Sequence, residues 1–194
     1  MLPSGSSLRA QRCQLRDVPA RRHDCLVALL LGMTALAAAP VASAYPEGAP
    51  WGASDPDAAE NCESCHFDYE PVLASHALSI AGLPDRAEPG KTYVLKVRFD
   101  EPGAVIAGFQ MIAKAVEDAA GKFESTQPDI EYFGAAIRST APLTNEGVVE
   151  WELTWTAPNT DGGVVTVFLA AMRANDDGSP FGDQAHFRSF VVEL

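Results

Sequence analysis

From Ala77 to the end of the chain, apolar and polar residues alternate with a period of two. Tyr93, Leu95, Val97 and Phe99 interleave with Val94, Lys96 and Arg98 behind a Pro89-Gly90 turn, as in a strand with one face buried. Trp151, Leu153 and Trp155 interleave with Glu150, Glu152, Thr154 and Thr156 in the clearest such run. Pro158 to Gly163 then supplies a turn, with Asp161-Gly162 suited to the left-handed conformations of a tight hairpin. Gly163 to Ala174 reads as a longer apolar strand, Asn175 to Pro180 breaks it, and His186 to Leu194 reads as the last strand.

Adding Ala77–Ile80, Gly108–Val116 and Asp129–Ile137 gives about seven short strands separated by turn residues, the pattern of an antiparallel, immunoglobulin-like β-sandwich. Ala113 to Ala120 also suits a helix, since Ala, Lys and Glu favour that state.

The chain before Ala77 follows another pattern. Met1 to Asp24 is net positive, Cys25 to Ala39 is an uncharged apolar run of about 15 residues, and Ala42-Ser43-Ala44 is a small-x-small peptidase site. The apolar run is shorter than a membrane span. Residues 1–44 therefore read as a signal peptide cleaved before Tyr45, 45–76 as a Pro- and Gly-rich leader, and 77–194 as the sandwich. The expected location is periplasmic or secreted, without stable membrane insertion after cleavage.

Charge narrows the partners. The whole chain has 14 bases and 26 acids; the five arginines and two aspartates before Tyr45 leave nine bases and 24 acids after it, a net −15. Nucleic acid and anionic membrane surfaces would repel such a protein, whereas a basic redox partner would not. No nucleophile–base pair, phosphate loop or paired catalytic carboxylates can be assigned, so no enzyme activity is expected.

Of four cysteines, Cys13 and Cys25 leave with the signal peptide. Cys62 and Cys65 remain, inside Cys62-Glu63-Ser64-Cys65-His66. Two thiols at this spacing can each add to one vinyl group of a haem while the adjacent imidazole reaches the iron, so haem c is the expected cofactor. Export agrees with this, because attachment of this kind takes place outside the bacterial cytoplasm. A redox-active disulfide, a zinc site and a plain structural disulfide between Cys62 and Cys65 are the competing readings.

His66 would be the proximal ligand. The opposite position has four candidates, His186, His76, Met111 and Met172, besides an open or water-filled site. Met111 shares a strand face with Phe109, and Met172 with Phe168 and Ala170, so both read first as core filler. His186 ranks ahead of His76, because parallel first and last strands would carry it near the motif. Asn175, Asp176, Asp177 and Asp183 offer oxygen ligands of the kind Ca²⁺ takes, although such a run also serves as a solvated turn.

These segments resemble the bacterial Reeler-like, or choice-of-anchor V, domain family. The matching stretches are Cys62–His66, Gly82–Pro84, Pro89–Tyr93, Gly108–Gln110, Trp151–Pro158, and Ala174–Asp176 leading to Gly182-Asp183. The resemblance implies a reelin-type sandwich on secreted bacterial proteins, often with Cys-x-x-Cys-His near the start. In this chain Ile137-Arg138-Ser139-Thr140 stands where relatives often carry a His-Thr pair. It also stops at Leu194 inside a strand where many relatives continue into an anchoring segment, so surface attachment by that route is not expected. Two functions remain open: a monohaem c-type electron carrier, and a haem-free adhesion or interaction module in which Cys62–Cys65 is a staple.

Overall fold

The computed structural model describes residues 48–116, 120–144 and 147–194. The expected signal peptide, residues 1–44, lies outside them. The described residues fall in one compact unit.

Among the described residues ten strands follow a short 3-10 turn at Cys62–Ser64: β1 Leu78–Ala81, β2 Thr92–Phe99, β3 Ile106–Ala115, β4 Lys122–Glu124, β5 Ile130–Phe133, β6 Ala136–Ser139, β7 Leu143–Thr144, β8 Val149–Thr156, β9 Val164–Ala174 and β10 Gln184–Glu193. They pair antiparallel in two sheets. One runs β1-β2-β8-β4 and the other β10-β9-β3-β6-β5, with β7 beside β3. The all-β sandwich expected from the alternation is present.

The core lies between the sheets because the period of two is kept in phase. Leu95, Val97 and Phe99 of β2 and Trp151, Leu153 and Trp155 of β8 face inward, each 3% exposed or less. They meet Phe109, Met111, Val165, Val167 and Leu169 from the other sheet in one cluster. Phe109 packs on Trp151 across the gap with ring centroids 4.7 Å apart. Burying such side chains is worth about 1.5–3 kcal/mol each.

Three expectations need correction. Residues 129–137 are not one strand but part of a β5–β6 hairpin in which Phe133 pairs with Ala136. Gly134 makes the reversal at φ +58°, a left-handed conformation that glycine adopts without a Cβ clash. The helical option fails over Ala113–Ala115, which belong to β3 and pair with Val165–Val167 of β9. Finally, β1 and β10 do not run side by side. β1 pairs antiparallel with β2, and the parallel neighbours of β10 are isolated residues, Val72 beside His186 and Arg86 beside Glu193.

The leader is a third layer. Segment 48–66 covers the outer face of the larger sheet, where Gly108, Ala170, Ala174 and Ala185 are small enough to admit it. Gln110, on the outer face of β3 and 2% exposed, holds it. Its amide donates to the carbonyls of Ala49 (3.1 Å) and Pro50 (2.8 Å) and accepts from Ser54 N–H (3.3 Å). Arg138 stacks over Trp51 at 4.3 Å and donates to the Gly48 carbonyl, and Lys114 forms an ion pair with Asp55. Burial pushes the Asp55 carboxyl up, but that ammonium and the Asp57 N–H outweigh it and leave the pKa below its ordinary value.

Candidate haem-attachment pocket

The Cys-x-x-Cys-His segment is shaped by its own local bonds. Asn61 accepts from Glu63 N–H through its side chain (2.9 Å) and donates its own N–H to Ser64 Oγ (3.1 Å), closing a capping box around the 3-10 turn. Two donors converge on the Ala53 carbonyl, the Cys62 N–H at 3.2 Å and the Cys62 thiol at 3.4 Å. Cys62 packs with Met172 against Ala170, Ala185 and Phe187 on the outer face of the larger sheet.

Beside this turn lies a cavity of about 420 Å³, within the size range of small-molecule sites. Its walls are the leader with Cys62, Cys65 and His66, the outer face of β3 and β9, and the Asn175–Asp183 loop. The surface is largely apolar.

His66 is fixed by a residue 117 positions away. Its Nδ1 stands 2.8 Å from Asp183 Oδ2, and Asp183 is 3% exposed. The other carboxylate oxygen accepts from Asn175 N–H at 3.2 Å. A carboxylate on Nδ1 favours the tautomer with its proton there and leaves Nε2 as the free nitrogen, the arrangement that metal-bound histidines use. Gly182, at φ +83°, makes the close turn before Asp183; a Cβ on it would meet Asn175 Nδ2 at 2.5 Å. The Asp68 carboxylate accepts from Gly182 N–H at 3.0 Å, and Phe67 meets Phe181 edge-on at 5.7 Å, tying the segment after the motif to the same loop.

The remaining expected ligands are scattered. His186 is buried but on the inner face, against Phe99 at 5.0 Å, with Nδ1 bonded to Ser75 Oγ at 2.9 Å. It does not line the pocket. Its place follows from strand phase: Ala185 and Phe187 face the leader, so His186 between them faces the core. His76 is exposed on the segment before β1, and Met111 is fully buried between the sheets. Of the four candidates for the position opposite His66, Met172 lines the cavity.

Asn175, Asp176, Asp177 and Asp183 lie on the loop that walls the cavity. Asp177 accepts from Ser179 N–H (2.8 Å) and Asn175 Nδ2 (3.2 Å), Asp177 N–H donates to Asn175 Oδ1 (3.1 Å), and Asp183 is engaged as above. These bonds make the run a series of side-chain-to-backbone turns. Among the described residues no three His, Cys, Asp or Glu side chains converge as a metal cluster would require, so the zinc tetrahedron is not assembled.

Cys62 and Cys65 are free thiols. Burial pushes the Cys62 thiol up to about 12, the opposite of what a redox-active Cys-x-x-Cys needs. A carboxylate-oriented imidazole and two thiols beside an apolar cavity fit a haem c. Attachment requires Cys62 to give up its bond to Ala53.

No family model matches the chain, and no curated protein matches it. Among solved structures it is similar to the Reelin-N domain of F-spondin, at 19% identity over 64% of this chain and 88% of that one, with a TM-score of 0.48. Two fragments of the human F-spondin reeler domain follow at 18% and 20% identity. Each covers 64% of this chain; 91% and 95% of their own lengths are matched, with TM-scores of 0.44 and 0.43. The sandwich assignment stands on the strand pairing above. Among the described residues no helix is long and apolar enough to cross a membrane.

Proposed function

We propose that this protein is an exported, non-enzymatic β-sandwich module whose leader pocket carries one haem c and passes electrons to a basic partner. The observation that supports it most is the Asp183–His66 pair at 2.8 Å, which leaves Nε2 of a pocket-lining imidazole free beside two thiols. Cys62 and Cys65 would hold the haem as thioethers to its vinyl groups, a redox-neutral attachment that needs no oxidant. When bound, the haem supplies a one-electron couple. The chain's part is to anchor it through Cys62 and Cys65, to hold the His66 ring through Asp183, and to exclude water with the leader and the outer sheet face.

The test is expression with a cytochrome c maturation system. Mature protein should gain the mass of one haem, keep it on denaturation, and lose it when both cysteines become serine. A colourless product weighing only its amino acids would end the proposal.

That outcome would leave the second reading, a haem-free interaction module of the Reeler type. The sandwich by itself supports it, and so does Cys62, whose raised pKa and packing among Ala170, Ala185 and Phe187 are those of an inert structural cysteine. The staple form of that reading requires a Cys62–Cys65 disulfide in place of the free thiols.

A further inference from the structure

We propose that Met172 is the distal axial ligand of the haem, an inference that rests on the haem reading above and goes beyond it to the ligand set. The larger sheet sorts the candidates by face. Along β9, Leu169 and Ala171 turn into the core, while Ala170, Met172 and Ala174 turn towards the leader. Met172 is half-buried, lines the cavity, and packs against the same three side chains as Cys62. Its thioether and the first haem anchor therefore share one wall.

The other donors at the cavity are occupied or of the wrong kind. Gln110 has its amide bonded to Ala49, Pro50 and Ser54. Asp183 holds His66, and Asp177 closes its own turn. Carboxylate, amide and hydroxyl oxygens are hard ligands, whereas a thioether is soft and is an established partner of His on haem iron. The surrounding strand gives a second argument. Its strand neighbours Gly108, Ala170 and Ala174 are small, and Met172 is an unbranched side chain with three rotatable bonds that lines the cavity.

The bland role of Met172 is to fill that space, and Met172→Leu separates the two because it keeps the volume and removes the sulfur. In the haem-loaded full chain, the wild type should be low-spin in both oxidation states. Its oxidised form should show the far-red sulfur-to-iron charge-transfer band, and its reduced form a strongly upfield-shifted methionine methyl resonance. Met172→Leu should lose both signals and lower the reduction potential, with haem content kept. Haem bound in the wild type without those signals, or signals that survive in Met172→Leu, overturns the assignment and leaves the haem reading intact. A wild type that binds no haem overturns both. If Met172→Leu folds poorly, the wild-type methyl resonance alone decides the assignment.

Discussion

Asp183 uses both carboxylate oxygens, one on the His66 ring and one on the Asn175 N–H, while almost wholly buried. Removing a buried acceptor strands its donors, at a cost of about 1–3 kcal/mol. Asp183→Ala should therefore lose that much in urea unfolding, and nitrogen chemical shifts of the His66 ring should move away from the Nδ1-protonated tautomer. A variant as stable as the parent would mean that the pair does not hold the loop. His186 poses a different test. Burial lowers its pKa from the ordinary 6.5 and Arg173 acts the same way, against an opposing pull from Glu101. The folded protein then keeps His186 neutral where the unfolded chain binds a proton. Stability contributed by the neutral ring is complete above about pH 6.5 and declines as pH falls from there towards the folded pKa. The slope reaches at most about 1.4 kcal/mol per pH unit. His186→Gln should flatten the profile below about pH 6.5, and an unchanged slope would place the titration elsewhere.

At the scale of elements, one β3 amide makes three of the hydrogen bonds that hold the leader. Gln110→Ala removes three hydrogen bonds to Ala49, Pro50 and Ser54 at once. It should raise amide exchange across residues 48–58 by tenfold or more, since about 1.4 kcal/mol already gives that factor, while β2 and β8 stay protected. Uniform exchange in both regions would show that the leader unfolds only with the sandwich. Strands that bury one face were legible in the sequence, because alternation reports burial directly. β2, β8, β9 and β10 begin and end within two residues of where the pattern placed them. β4 and β7, three and two residues long, are too short to carry a period, and the β5–β6 hairpin was hidden because Gly134-Ala135 is not a strong turn pair. The site divides in the same way. Cys62, Cys65 and His66 were legible because they are contiguous, and Met172 was visible as a candidate. Asp183 as partner of His66 was not, since nothing local marks a contact across 117 residues. The inward aspect of His186 follows from strand phase, which is readable from alternation only along longer apolar runs.

Over the molecule as a whole, two apolar clusters lie on opposite faces of one sheet. The larger begins at Leu78 and contains no buried residue from the leader. The smaller, Ala170, Ala185 and Phe187 with Cys62 and Met172, exists only where the leader lies on the sheet. The sandwich should therefore outlast its cover. A chain starting at Val72 keeps the segment that lies along β10, where Val72 N–H donates to the Ala185 carbonyl and Ser75 N–H to the Phe187 carbonyl, both at 2.9 Å. It should unfold cooperatively with near-ultraviolet dichroism like that of the parent, because Trp151 and Trp155 keep their surroundings. It should also bind a hydrophobic dye or self-associate, since the outer sheet face would be bare, and it should take up no haem. If this shorter chain shows no tertiary dichroism, the leader is part of the folding core and the separation of the two clusters has no energetic meaning. If it folds, stays monomeric and binds no dye, the outer face is not the apolar surface that the pocket requires.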